Sequence, residues 1–175
     1  MLVGEKVRLV PLEERHLDYI MEHFNEPKLR VFLGGYLPVT RNMEREWIQA
    51  AEDSLKKRRE FHFAIETLPK GEMIGTLALH DVEWLARTCV LGIAVYEEKN
   101  WGHGLGSEAM RLLIDFAWTH LNLRRIELSV HDFNARAIRA YEKLGFKMYG
   151  TAHQKAYLGG RYVDTHYMEL FKEAE

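Results

Sequence analysis

The sequence predicts a single mixed α/β domain, α+β in arrangement, with one mostly antiparallel, twisted sheet of about seven strands and about four helices. Three observations predict it. Segments of period two alternate with segments of helical period along the whole chain. Two tight-turn signals, Pro69 with Gly71 and the pair Gly159-Gly160, join neighbouring strand patterns as antiparallel hairpins do. One nearly apolar strand, "TCVLGIAVY", runs through a glycine-rich turn into a long amphipathic helix, as expected at the centre of a sheet. No repeat, low-complexity segment or linker interrupts residues 1–175, so the chain is expected to form one domain.

Residues 7–10 form a short strand, ended by Pro11, which lacks a donor for further pairing. Leu17, Ile20, Met21 and Phe24 recur at helical spacing, so a helix is expected over residues 13–24. "RVFLGGYLPVT" is a loop, with Thr40 placed to cap a second helix whose apolar face is Trp47, Ile48, Ala51 and Leu55. Phe61, Phe63 and Ile65 alternate on one arm of a hairpin, and Ile74, Leu77 and Leu79 return on the other. After the central strand, Leu105, Ala109, Leu112, Leu113, Phe116 and Ala117 give the long helix a buried stripe. Ile126, Leu128 and Val130 alternate on the next strand. Asn134 caps a shorter helix bearing Ala137, Ile138, Tyr141 and Leu144, and Gly145 stands where a left-handed C-terminal cap belongs. Two last strands, 146–157 and 161–171, meet at Gly159-Gly160.

Composition narrows the function. Hydrophobic residues are 47% and charged residues 29%, a globular balance with enough chain for a core. The net charge of −2 gives no strong field for nucleic acid or an acidic membrane surface, so neither is expected as a partner. The start, "MLVGEKVRLVPLEERHL", has no signal-peptide pattern, and no run approaches the roughly 20 apolar residues of a membrane span. One cysteine, Cys89, excludes an internal disulfide and suits a reducing, cytoplasmic setting. The nine histidines show no H-x-x-x-H helical spacing, so no metal site is expected.

The stretch "KNWGHGLGSEAM" carries the chemistry. It fails the Walker pattern, because Ser107 and Glu108 follow Gly106 instead of Lys and a hydroxyl residue. It fails the dinucleotide fingerprint, because the third glycine comes one place early. What survives is a strand, a tight glycine turn and a helix start. Free amides and the helix dipole make such a start a seat for phosphate. Taken alone, "GHGLG" is equally a flexible turn.

One unit later stands "HDFNARAIRAYEKLGF". With both segments in order, the chain resembles the GNAT superfamily of N-acetyltransferases, and within it the RimJ/RimL-like branch. The superfamily's glycine motif, Q/R-x-x-G-x-G/A, maps onto Trp101, Gly102, His103, Gly104, Leu105 and Gly106, with Trp101 in place of Gln or Arg. An aromatic at that place is familiar in the RimJ/RimL-like branch. The second signature, N-x-x-A/S-x-x-x-Y-x-K-x-G-F, maps onto Asn134, Ala137, Tyr141, Lys143, Gly145 and Phe146.

The resemblance implies the GNAT fold, with acetyl-CoA as donor. It implies an acetyl group moved to a primary amine by direct attack in a ternary complex. Backbone amides of His103, Gly104, Leu105, Gly106 and Ser107 would hold the pyrophosphate, with Trp101 and Gly102 also counted among the donor-binding residues. The pantetheine amides would pair with a strand edge at Ile93, Ala94 and Val95, and an N–H near Val95 would polarise the thioester. Tyr141 becomes the general acid for the leaving sulfur and a donor contact. Asn134 would cap its helix and offer its amide to the pantetheine, and Lys143 would approach the phosphates. For the base, "ALHDVEW" offers Asp81 and Glu83, with His80 beside them; each reads equally as a solvated loop residue, and His80 as a core one. Cys89, on an apolar strand, is expected to be inert packing. The acceptor groove falls around Tyr36 on one side and Tyr157 and Asp164 on the other. It suits a protein N-terminus or a small amine or polyamine, and homodimers are common in the branch. Two other readings stay open: a silent coenzyme A-binding sensor of the same fold, and a nucleotide-binding domain.

Overall fold

The structure is a computed structural model and describes residues 2–33 and 37–173. Strand β1 (Leu2–Val3) precedes β2 (Val7–Pro11). A 3-10 turn at Glu14–His16 leads into α1 (Leu17–His23), followed by α2 (Pro27–Arg30) and α3 (Arg41–Lys56). Then come β3 (Phe61–Thr67), β4 (Met73–Glu83), β5 (Thr88–Val95) and α4 (Leu105–Thr119). The chain closes with β6 (Arg125–His131), α5 (Ala135–Lys143), β7 (Lys147–Leu158) and β8 (Arg161–Phe171). The strands form one sheet in the order β1-β2-β3-β4-β5-β6-β8-β7. Every neighbouring pair is antiparallel except β5 with β6.

The expected mixed sheet is present, with one more strand and one more helix than expected. The additions are β1, of two residues, and α2, a single turn opened by Pro27 at its first position. Both are too short to show a period. The helix expected over 13–24 divides, because its first turn is wound as the 3-10 segment.

Alternation along the strands sends side chains to two cores, one on each face. On one face Leu9, Phe63, Ile65, Leu77, Leu79 and Leu91 meet Ala109, Leu113 and Ala117 of α4. On the other, Val10 and Ala64 meet Leu17, Ile20, Ile48 and Ala51 of α1 and α3. The stripe of α4 is rotated slightly from expectation: Met110 and Ile114 are buried, while Leu105, Leu112 and Phe116 pack at its margin. Cys89 is 1% exposed and burial pushes its thiol up to about 12, so it is no nucleophile. Both predicted caps form, Thr40 Oγ1 accepting from Met43 N and Asn134 Oδ1 from Ala137 N. Among the described residues no helix is long and apolar enough to cross a membrane.

Strand β5 decides where a ligand can enter. It pairs with β4 from Val90 to Val95, and again at Thr88. It pairs with β6 only through Thr88, Cys89 and Val90, opposite Arg125, Ile126 and Glu127. Beyond Val90 the two strands part, and β6 continues with β8 alone as far as His131.

Candidate active site

The fork between β5 and β6 opens into a cleft of about 530 Å³. Its walls are Val90 to Val95 of β5, Ser129 and Val130 of β6, the start of α4, the inner face of α5, and Leu29 of α2 with Phe32 and Leu33 just after it. Backbone alternation fixes which groups face it. Tyr96 N–H donates to the Ile74 carbonyl, so the peptide groups of Ala94 and Gly92 also face β4, and those of Ile93 and Val95 face the fork. The expected edge of Ile93, Ala94 and Val95 is therefore narrowed: Ala94 lines the cleft but spends its peptide on the sheet. Trp101 Nε1 donates to the Val95 carbonyl at 2.7 Å. The Ile93 N–H and C=O and the Val95 N–H remain to meet a ligand.

At the open end stands the glycine turn. Gly102 and Gly104 take φ of 79° and 81°, in the left-handed region that side chains with a Cβ avoid. Gly104 is the N-cap of α4, and the first intrahelical bond runs from Glu108 N to its carbonyl. The amides of Leu105, Gly106 and Ser107 thus lack helical partners and point from the positive end of a 15-residue helix. Gly102, Gly104, Leu105, Gly106 and Ser107 all line the cleft. His103 does not; it is exposed, and its carbonyl accepts from Lys6 Nζ at 3.3 Å.

The second motif supplies the far wall. Asn134, Ala137, Tyr141 and Lys143 all line the cleft from α5. Tyr141 is 9% exposed, and burial pushes its phenol up to about 12, although Arg136 acts in the opposite direction. It therefore holds its proton throughout the neutral range. Tyr141 and the free edge of β5 line the same cleft.

Two cations at this site were not anticipated from sequence. Lys6, between β1 and β2, brings its ammonium to the glycine turn. Arg136 of α5 lines the cleft with its guanidinium 3.6 Å from the Trp101 ring centroid. Arg136 stands at a variable place of the second motif, and Lys6 is brought here only by the packing of distant segments.

Asp81 and Glu83 are not brought to the cleft. Both are exposed, and Glu83 pairs with Thr88, beyond the closed end of the fork. Asp81 sits at a register shift of β4 with φ of 48°. Such an irregularity turns a side chain outward from the sheet. Tyr36 lies outside the described residues. Tyr157 is exposed and meets Tyr162 edge to face, while Asp164 accepts from Gln154 N and pairs with His153 at 2.7 Å, contacts that hold its carboxyl below its ordinary value. The β7–β8 hairpin reaches the cleft rim through Arg161, over Phe133, which packs on Phe32.

Comparison with known proteins agrees with this geometry. The acetyltransferase (GNAT) domain family matches residues 6–147. A probable N-acetyltransferase, YjcK of Bacillus subtilis (strain 168), is 31% identical over 171 residues, covering 94% of this chain and 93% of its own. Among solved structures, spermidine N-acetyltransferase from Vibrio cholerae, in complex with CoA and spermine, superposes with a TM-score of 0.86 at 22% identity, covering 96% of each chain. RimL, a ribosomal L7/L12 alpha-N-protein acetyltransferase in complex with coenzyme A, does so at 0.87 and 18% identity, covering 99% of this chain and 98% of that one. The chain belongs to the GNAT acetyltransferase family. It is an N-acetyltransferase of that family, with the fold of its structural neighbours.

Proposed function

We propose that the protein binds acetyl-CoA along the fork and transfers the acetyl group to a primary amine in a ternary complex. The observation that carries this is the fork itself: an unpaired strand edge, a helix start at one end and a protonated, buried tyrosine lining the same cleft. The pyrophosphate rests on the amides of Leu105, Gly106 and Ser107, with Lys6, Arg136 and Lys143 supplying positive charge. The pantetheine amides pair with Ile93 and with the Val95 N–H as an added strand does. Asn134 caps α5 and turns its remaining amide capacity to the arm.

The amine must arrive neutral to attack the thioester carbonyl. The oxyanion that forms is held by a β5 N–H facing the fork. As the carbon–sulfur bond breaks, the departing thiolate takes the proton of the Tyr141 hydroxyl, and the phenolate is reprotonated from solvent. Asp81 and Glu83 have no part in these steps. Cys89, buried and protonated, takes none either, so no acyl-enzyme forms.

The acceptor is a protein N-terminus or a small amine or polyamine. The solved relative with spermine and the relative acting on a ribosomal protein support both classes equally. In this reading the chain falls in the RimJ/RimL-like branch, on the strength of Trp101 in the glycine motif. Thermal shift with acetyl-CoA beside ATP is the first test, since a bound ligand raises the melting temperature. Stabilisation by acetyl-CoA and not by ATP is expected; the reverse would sink the proposal. A panel of spermidine, short N-terminal peptides, amino acids and aminoglycosides then identifies the acceptor by thiol release.

A further inference from the structure

We infer that His80 is the general base of the transfer, seated against the buried His62 and its half-buried partner Glu60; this rests on the acetyltransferase reading of the cleft. His80 stands on β4 directly across from Val90, the last residue of β5 that pairs with β6. It therefore marks the closed end of the fork. A strand rises about 3.4 Å per residue, so the five residues from the fork to Val95 span about 17 Å. A pantetheine arm anchored at the α4 start runs down that edge toward His80.

The face is right as well as the depth. Directly opposed residues on paired strands share a face, so the imidazole projects on the side of Val90, and the next such position along β5 is Gly92. His80 Nε2 lies over Gly92, where a Cβ would stand only 3.2 Å from it. Glycine leaves the ring its place, and both Val90 and Gly92 line the cleft. The His80 side chain is 37% exposed, so water reaches it, and it meets the cleft through Gly92 rather than as part of its lining.

Behind it the polar groups form a chain. His62, on β3, is 4% exposed and its Nε2 donates to Glu60 Oε2 at 2.8 Å. The two imidazoles meet edge to face, with centroids 5.0 Å apart. Glu60 Oε1 is 3.9 Å from His80 Nδ1. Trp47 of α3 closes the far side of His62, edge to face at 5.7 Å. The titratable neighbours of His80 are thus His62, Glu60 and, from its own strand, Asp81. Burial and then His62 hold its imidazole below the ordinary value, against Glu60 and Asp81. A neutral ring with a free nitrogen is what a base needs at neutral pH.

The proton balance closes. An ammonium N–H passes its proton to His80 Nε2, directly or through one water, and leaves a neutral amine and an imidazolium. The amine attacks and loses its second proton to water as the amide forms; Tyr141 protonates the thiolate. The imidazolium returns its proton to solvent at its exposed edge, so ammonium and thioester give amide, thiol and one free proton.

The test uses the full chain with the best amine of the panel. His80→Gln should lower kcat/KM about 100-fold at pH 7, where the amine is protonated, while acetyl-CoA affinity by calorimetry stays within about twofold. The deficit should shrink as the pH rises past the acceptor's own pKa, where no base is needed. The acidic limb of the wild-type profile should move to lower pH in Glu60→Gln and to higher pH in His62→Gln. A deficit independent of pH, or a loss of acetyl-CoA affinity, would mean that His80 is only structural and would overturn the inference. The three side chains also place ligand atoms within 4.8 Å of one another. If chelation abolishes turnover and zinc(II) restores it, the cluster is a metal centre and the base assignment falls. A wild-type chain that binds no acetyl-CoA overturns the acetyltransferase reading first, and the inference with it.

Discussion

The two edges of β5 are made by alternate residues of one strand and do opposite things. Toward β4, peptide groups are matched from Val90 to Val95, and the edge is spent on the sheet. Toward β6, matching stops at Val90 and the edge is free. Free backbone groups inside a protein are costly unless something meets them. The difference teaches that this site is built first from backbone. Side chains then add what a backbone lacks: cations in Lys6 and Arg136 and, in the proposed mechanism, a proton donor in Tyr141.

The comparison can be broken at several points. The largest effect is expected from Tyr141→Phe, which keeps the ring in the fork and removes its proton. The kcat should fall about 100-fold while coenzyme A affinity by calorimetry holds. In the proposed mechanism, the acid is the protonated phenol. Its pKa is raised to about 12, so activity owed to it persists through the neutral range and is lost only as the pH climbs toward 12. A basic limb near pH 8 that vanishes in Tyr141→Phe would contradict that. Next comes Gly104→Val, which forces a β-branched residue into φ of 81° at the helix start. The strain of about 1–2 kcal/mol should weaken acetyl-CoA binding about 5- to 30-fold, read as Kd.

Smaller changes sharpen it. Trp101→Phe removes the donor to the Val95 carbonyl and leaves that acceptor to compete on the free edge. A loss of about 1 kcal/mol, near fivefold in acetyl-CoA Kd, is expected. Asp81→Asn and Glu83→Gln, both exposed and beyond the closed end, should leave kcat/KM within about twofold, a range typical of exposed charges. A tenfold loss in either would return the base to that segment.

Much of this was legible in sequence because local physics writes it there. Asn134, Thr40 and Gly145 announced helix ends, since capping depends on neighbours within a few residues. The run of Gly102, Gly104 and Gly106 announced a strained turn before a helix. Tyr141 was legible only as part of a motif. Its spacing alone fitted a core aromatic, and it is in fact both buried and in the cleft. The short elements β1 and α2 stayed hidden, being shorter than a period.

The sequence by itself determined the order of elements, the central strand, the glycine turn and the α5 face that bears Tyr141. Each is set by periodicity or by a backbone angle that few residues accept. Only the tertiary structure decided that β5 and β6 part after Val90, because pairing length depends on how the helices and β8 draw the strands apart. It alone set Lys6 at the glycine turn, 97 residues from His103. It alone brought His80 beside His62, through the register that pairs His62 with Ala78. Asp81 and His80 are adjacent in sequence and equally plausible there. The left-handed turn at Asp81 carries one outward and leaves the other over Gly92. A single residue's backbone angle, fixed by the whole sheet, separates them.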